Sequence, residues 1–293
     1  MRGRELITPS YSIGEAGLNT VEIESLDTEE LNIYSKLSEV QLLRYNEPKP
    51  GIFIAESPNV ILRAIDAGYE PISLLVQTEL ADKEAKIVID RIAERFGKDK
   101  ADEIKVYVAG LDVINKLTGF AMTRGILAAF KRKPMKEMES YLVGKKRIAV
   151  LYDIVNPTNV GAIVRSAAAL GMDGVMLTDN CADPFYRRAA RVSMGTVFQI
   201  PLMKVDITIE RLNELGFTTI AMALKDDSLS ISDRKIKEAD KLAVVLGTEG
   251  EGLPDDVIDE CTYTVKIPMY HGVDSLNVAA ASAVAFYEIC SRE

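Results

Sequence analysis

Three short segments in the second half of the chain carry residue types and spacings suited to chemistry. The first, Asn156-Pro157-Thr158-Asn159-Val160-Gly161-Ala162-Ile163-Val164-Arg165, follows an apolar run and opens a helical pattern. Ligands collect at such strand-to-helix turns in α/β folds. Gly161 and Arg165 stand one helical turn apart, so the glycine leaves room beside the guanidinium for something bulky. Asn159, close to the helix start, suits a cap. The spacing Gly-x-Gly-x-x-Gly is absent, which excludes the dinucleotide fingerprint. The second segment, Leu246-Gly247-Thr248-Glu249-Gly250-Glu251-Gly252-Leu253-Pro254, places three glycines in six residues. That is either a loop whose backbone touches a ligand or a tight turn with positive φ. Glu249 and Glu251 would repel a phosphate but tolerate a cation such as a sulfonium. The third runs Ile267-Pro268-Met269-Tyr270-His271-Gly272-Val273-Asp274-Ser275-Leu276-Asn277-Val278 and leads into Ala279-Ala280-Ala281-Ser282-Ala283. Ser275 or Asn277 could cap the last helix, and the small residues permit close approach of another helix, from the same chain or a partner. His271 is the one histidine of the chain, a tempting general base that stands alone.

These segments need elements to hold them. After an irregular start, Asp27-Thr28-Glu29-Glu30 opens a helical pattern through Leu31, Tyr34, Leu37, Leu42 and Tyr45, stopped by Pro48-Lys49-Pro50-Gly51. Strands are expected at 52–55, 72–76, 106–108 and 126–130. Helices are expected after Ser57-Pro58, at 82–96 and at 111–117, with Gly68 as a C′ glycine. The second half alternates more strongly. Strands are expected at 148–152, 174–177, 196–200, 219–223, 242–246 and 265–267, and helices at 159–170, 182–192, 207–215 and 276–290. Continuous apolar strands between helices mean a parallel sheet covered on both faces.

Composition narrows the class. The chain has 293 residues, 47% of them apolar, so it can bury a sizeable core. Its net charge of −9 excludes a wholesale basic coat for nucleic acid. Residues 101–147 are the exception, with 10 basic against 5 acidic side chains. The segment 131–147, including Lys131-Arg132-Lys133-Pro134 and Lys145-Lys146-Arg147, reads as a basic linker or a nucleic-acid contact. Phosphate contacts need only a few cations, and the candidates are Arg124, Lys131, Arg132, Arg187, Arg188 and Arg191. Cys181, Cys261 and Cys290 are distant from one another, so neither a disulfide framework nor a thiolate metal site follows, and no metal is expected. No apolar run is long enough to span a membrane, and no apolar stretch follows the charged first residues, so a cytoplasmic protein is expected.

Together the three segments resemble the SpoU-type RNA 2′-O-ribose methyltransferases of the SPOUT superfamily. The family pattern runs Asn-x-Gly-x-x-x-Arg, Gly-x-Glu-Gly-x-Gly and Ile-Pro-Met-x-x-x-x-x-Ser-Leu-Asn-Val, and all three occur here in that order. Asp183-Pro184-Phe185, Arg188 and Ser193-Met194-Gly195 also look like the family's intervening stretch. Residues 51–130 more loosely resemble an L30e-like substrate-binding domain, through Phe53, Ala64, Gly68, Gly119, Arg124 and Gly125-Ile126-Leu127-Ala128.

The resemblance implies four parts: a leader and helix over 1–46, the L30e-like α/β domain over 47–130, the linker 131–147, and a parallel-sheet SPOUT domain over 148–293. It implies a deep C-terminal trefoil knot. It also implies S-adenosylmethionine as cofactor, against Gly247, Thr248, Ile267, Met269 and Leu276. The catalytic positions carried over are Asn159, Arg165, Glu249, Ser275 and Asn277. A homodimer through the motif-one and final helices is implied too. The expected substrate is structured RNA, 23S ribosomal RNA ahead of tRNA, with a catalytically silent RNA-binding protein as the contrasting possibility. Thr248 and Tyr270-His271 depart from the residues commoner at those places, which touches the rim of the pocket. A guanidinium keeps its proton throughout the ordinary pH range, so Arg165 is expected to hold a phosphate and stabilise an alkoxide.

Overall fold

Two separate sheets form from the two halves of the chain. In the computed structural model, residues 11–13, 18–117, 125–134, 137–206 and 208–290 are described. The chain divides into the units Met1–Pro134 and Met135–Glu293.

The first unit holds β1 (Tyr11–Ile13), β2 (Asn19–Glu22), β3 (Ile52–Glu56), β4 (Pro71–Gln77), β5 (Lys105–Ala109) and β6 (Ile126–Lys131). Their order is β1-β2-β5-β4-β6-β3. Strands β2, β5 and β4 run parallel, and the other pairings are antiparallel. Residues 18–46, expected in the leader and helix, are built into the first unit: β2 is part of the sheet, and Leu31, Ile33, Tyr34 and Leu42 join the same core as Leu75 and Tyr107. The helix expected from Leu31 to Tyr45 is two pieces, Asn32–Ser35 and Glu39–Leu43. Ser38 divides them, because it forms a capping box with Gln41 and starts a new helix. Helix α1 (Pro58–Asp66) follows β3, with Ser57 left-handed at φ 82° and its hydroxyl not capping. Helix α2 (Lys86–Phe96) follows a π-helical turn over Ala81–Ala85. In the core, Phe53 stacks on Phe130 and meets Tyr69 edge-on, each at 5.3 Å.

The expected linker 131–147 is largely structure. Lys131 ends β6, α3 spans Met138–Leu142, and Arg147 starts the next strand. Tyr141 anchors α3 in the second unit, its hydroxyl donating to the carbonyls of Val175 (3.0 Å) and Pro201 (3.2 Å). An apolar anchor every few residues is hard to see in a short, charged stretch, which is why composition alone favours a connector.

The second unit continues with β7 (Arg147–Leu151), α4 (Pro157–Leu170), β8 (Gly174–Leu177), α5 (Arg187–Val192), β9 (Leu202–Lys204), α6 (Ile209–Glu214), β10 (Thr218–Met222), β11 (Leu229–Ser230), β12 (Leu242–Leu246), α7 (Asp255–Glu260), β13 (Tyr263–Lys266) and α8 (Val278–Cys290). The seven strands lie in the order β11-β13-β10-β12-β7-β8-β9, every neighbouring pair parallel. β8 and β12 are buried at every residue, as two-sided cover requires. Two expectations fail between β8 and β9. The helix expected over 182–192 is only α5, and the strand expected at 196–200 is a 3₁₀ turn over Thr196–Phe198. Met194 and Gly195 are both left-handed, and Ser193 Oγ donates to the Ala190 carbonyl, so the chain turns sharply and pairs only from Leu202.

Candidate active site

A parallel sheet aims all its carboxyl ends at one edge, where the connecting loops are free to bind ligand. Here the loops after β10, β12 and β13 meet the start of α8 around a cavity of about 710 Å³, within the range of a small-molecule site. Its walls are apolar at Leu246, Leu253, Ile258, Val265, Ile267 and Leu276, and they include Gly247, Thr248, Glu249, Met269, Ser275 and Asn277. Of the ten positions assigned to catalysis and cofactor, eight line this one space. Asn159 and Arg165 do not.

The β12 loop explains its glycines one at a time. A side chain at Gly247 would run into the main chain of Gly252, because the loop folds back there: Thr248 N–H donates to the Gly252 carbonyl at 3.1 Å. Gly250 (φ 92°) and Gly252 (φ 72°) take left-handed backbone, the tight-turn reading of this segment. The turn thus lays Glu249 on the cavity wall.

Asn277 ties the three motifs together. Its Oδ1 accepts from the Ala279 N–H at 2.9 Å, making it the cap of α8, while its Nδ2 donates to the Glu249 carboxylate. The same Nδ2 lies 3.5 Å from Oδ1 of Asn159. Asn159 is not the helix cap: Asn156 is, accepting from Thr158 N–H at 2.9 Å. That leaves Asn159 free to sit buried in the first turns of α4, facing the loop. Ser275 lines the cavity and is exposed, with no hydrogen bond among the described residues.

Arg165 is placed differently. It lies on an exposed face of α4, off the cavity wall, and makes no hydrogen bond or ion pair with any described residue. The Glu249 carboxylate contacts Asn277, not Arg165. The space that Gly161 leaves open beside Arg165 is filled by α5: a Cβ on Gly161 would meet the Ala189 carbonyl oxygen at 2.5 Å. The arginines of α5 divide as well. Arg188 is exposed and its Nε donates to Thr158 Oγ1 at 2.8 Å, whereas Arg187 and Arg191 are half-buried and partnered. Lys131 pairs with Glu70 at 2.8 Å, Arg132 Nε donates to the Ile52 carbonyl, and Arg124 lies outside the described residues.

Two features escaped sequence reasoning. Lys225, in the loop after β10, pairs at 2.6 Å with Asp255 at the start of α7, and both line the cavity. Asp153, just after β7, is left-handed at φ 54° and accepts from Thr178 Oγ1 (2.7 Å) and Asn180 Nδ2 (3.2 Å). The signal for both was position alone, directly beyond a buried parallel strand. Cys181 and Cys261 are held protonated by burial, Cys261 up to about 12, so neither is a ready nucleophile. Among the described residues no group of His, Cys, Asp and Glu is arranged to hold a metal ion, and no helix is long and apolar enough to cross a membrane.

The donor set suits a partly apolar, cationic ligand. Glu249, Glu251, Asp255 and Asp274 face only Lys225 and Lys266, and Lys225 is already joined to Asp255. An α/β protein with an all-parallel sheet and a ligand cavity at its carboxyl edge is the class so defined. The SpoU rRNA Methylase family model matches residues 146–287, the whole of this sheet and its cavity. An uncharacterised tRNA/rRNA methyltransferase of Mycobacterium tuberculosis is 35% identical over 223 residues, covering 73% of this chain and 77% of that one. The chain belongs to the SpoU family of RNA methyltransferases. Its fold is that of an AdoMet-bound rRNA methyltransferase from Sinorhizobium meliloti (TM-score 0.75, 23% identity, 92% of this chain and 97% of that one). It is also that of the SpoU methyltransferase AviRb from Streptomyces viridochromogenes in complex with AdoMet (TM-score 0.66, 23% identity, 82% and 89%). The α/β class and the parallel-sheet SPOUT unit expected from the sequence stand, preceded by a separate α/β unit.

Proposed function

We propose that the cavity binds S-adenosylmethionine and that the chain methylates a ribose 2′-hydroxyl of structured RNA, 23S ribosomal RNA ahead of tRNA. The observation that carries this is the Glu249–Asn277–Asn159 chain, which links polar side chains of all three motifs behind the wall of an acidic-rimmed, apolar cavity that Glu249 and Asn277 line. When bound, S-adenosylmethionine supplies an electrophilic methyl on a sulfonium. The apolar walls and the main chain of Gly247, Ile267 and Leu276 hold it, with Thr248 and Met269 beside them. Ser275 and Asn277 orient the ribose, and Glu249 fixes Asn277. In-line displacement makes positioning the principal contribution of such residues. A ribose hydroxyl attacks well only as its proton leaves, and Arg165 cannot accept that proton. Arg165 instead holds the neighbouring phosphate and stabilises the developing alkoxide, a task its exposure and its lack of an internal partner suit. Arg188, and more weakly Arg187 and Arg191, guide the RNA backbone; Lys131, Arg132 and Arg124 belong to the substrate-binding first unit. The homodimer packs α4 and α8 of two copies: Ala280, Val284 and Tyr287 form one exposed face of α8, and Ala169 is exposed on α4.

The test is retention of radiolabelled S-adenosylmethionine by the protein and transfer of label to total RNA from cells lacking it. Label in 23S ribosomal RNA is the expected result. Label confined to tRNA overturns the choice of RNA, and cofactor binding without transfer supports a silent RNA-binding protein. Arg165→Lys should lower turnover across the pH range; unchanged turnover removes the specific guanidinium role.

A further inference from the structure

One side chain near the cavity has no structural employment. Tyr270 is 80% exposed, the most exposed of the large apolar side chains among the described residues, and it makes no hydrogen bond or ring contact with any of them. Its backbone, by contrast, is tightly held. The Val273 N–H donates to the Tyr270 carbonyl at 3.2 Å, closing a four-residue turn whose central residues, His271 (φ 59°) and Gly272 (φ 70°), are both left-handed. A left-handed histidine is strained, and such strain persists where surrounding structure enforces it, often at functional sites. The turn joins two cavity-lining stretches, ending at Met269 and resuming at Asp274 to Asn277. It therefore stands at the rim between the cavity and the residues Ser275 and Asn277.

We infer that Tyr270 is a specificity-determining residue that stacks on a nucleobase of the RNA beside the methylated ribose. This rests on the reading of the cavity as a methyltransferase site for RNA. The charge around the turn decides between ways of gripping RNA. Glu249, Glu251 and Asp274 line the same rim, so phosphates are repelled there. An uncharged aromatic face can still hold RNA, since every base offers a π-surface and single-stranded RNA is commonly read by such stacking. The neighbouring exposed Val273 and Leu276 extend the apolar rim that a splayed base would cover. Phosphate contacts then fall to Arg165 of α4 and the arginines of α5, none of which lines the cavity.

The experiment compares wild type with Tyr270→Phe, Tyr270→Leu and Tyr270→Ala. Each is assayed for label transfer from methyl-labelled S-adenosylmethionine to total RNA from cells lacking the protein, for S-adenosylmethionine binding by calorimetry, and for mass in solution. Tyr270→Phe keeps the ring and should stay within about twofold of wild type. Tyr270→Ala should lower kcat/KM for RNA by about 5- to 150-fold, the cost of one lost base stack, through KM. Tyr270→Leu keeps apolar bulk without a ring and should fall nearly as far. Cofactor affinity and mass should not change in any variant. Equal activity of Tyr270→Ala and wild type overturns the inference, as does equal loss in Tyr270→Phe, restored activity in Tyr270→Leu, or conversion to a smaller assembly. Wild-type protein that transfers no label to RNA overturns the underlying reading, and the stacking role with it.

Discussion

The two units use the same alternation of strand and helix and reach opposite uses of charge. In the first, cations close on their own chain. Lys100 and Lys131 both reach Glu70 at 2.8 Å, Lys133 donates to the Ala67 carbonyl at 2.6 Å, and Arg132 to the Ile52 carbonyl at 3.1 Å. The most basic part of the sequence thus serves to seal the end of β6. In the second, the acidic groups of the cavity rim are left largely without cations. Sheet topology accounts for the contrast. The mixed sheet sends its strand ends in both directions, so its loops stay local. The all-parallel sheet gathers the loops of three strands at one edge, and their carboxylates with them. Charge along a sequence is therefore a poor map of charge at a site until the topology is known.

The largest test of this separation is in the first core. Phe53→Ala removes a fully buried ring stacked on Phe130 and should cost about 3–5 kcal/mol. Calorimetry should then show an earlier transition for the first unit, with a second transition that S-adenosylmethionine still raises. A single transition displaced as a whole would mean that the two sheets unfold as one. Gly161→Ala probes the second unit. Its methyl group would meet the Ala189 carbonyl, and the overpacking should cost about 1–3 kcal/mol in denaturant unfolding. Full stability would show that α5 moves aside easily.

Asn277 separates capping from chemistry. Asn277→Ala loses the α8 cap and should destabilise by about 1 kcal/mol. Asn277→Ser keeps a capping oxygen and should recover most of that, yet neither variant can reach Glu249 as the amide does. Methyl transfer should fall about tenfold or more in both, the loss of one positioned charge-assisted hydrogen bond. Recovery of activity in the serine variant would reduce Asn277 to a cap.

The central buried strands of the second sheet and the loop segments that line most of its cavity were legible in advance, for reasons specific to the residues. Runs such as Leu242 to Leu246 are apolar at every position and can only be buried strands. The glycines of the β12 loop and the Ser275–Asn277 stretch sit directly beyond such runs. What was not legible depended on partners distant in sequence. Asn159 looks like a cap until Asn156 is seen to take that role and Asn277, 118 residues after Asn159, draws Asn159 toward the site. Gly161 looks like space for a ligand until α5 fills it. The basic segment looks like a solvated connector until Glu70 and two carbonyls are seen to bind Lys131, Lys133 and Arg132.

The last of these contacts also gives the smallest effect. Lys100 first, then Lys131, hold the Glu70 carboxyl below its ordinary range. Its folded pKa is depressed, so its contribution to stability is present above about pH 4.5 and is lost as pH falls through the folded value. Glu70 is substantially exposed, and solvent screening limits the contribution to less than about 1 kcal/mol. Glu70→Gln should therefore change stability little at pH 7 and flatten its fall as pH drops below about 4.5, measured by urea unfolding at fixed ionic strength. It should also free Lys100 and Lys131 from their shared carboxylate. If the first unit's cations serve the fold, RNA retention should rise in Glu70→Gln, because two released ammonium groups become available to phosphate. Retention that falls instead would mean that the Glu70 pairs hold those lysines in the positions RNA needs, and the contrast between the two units would narrow.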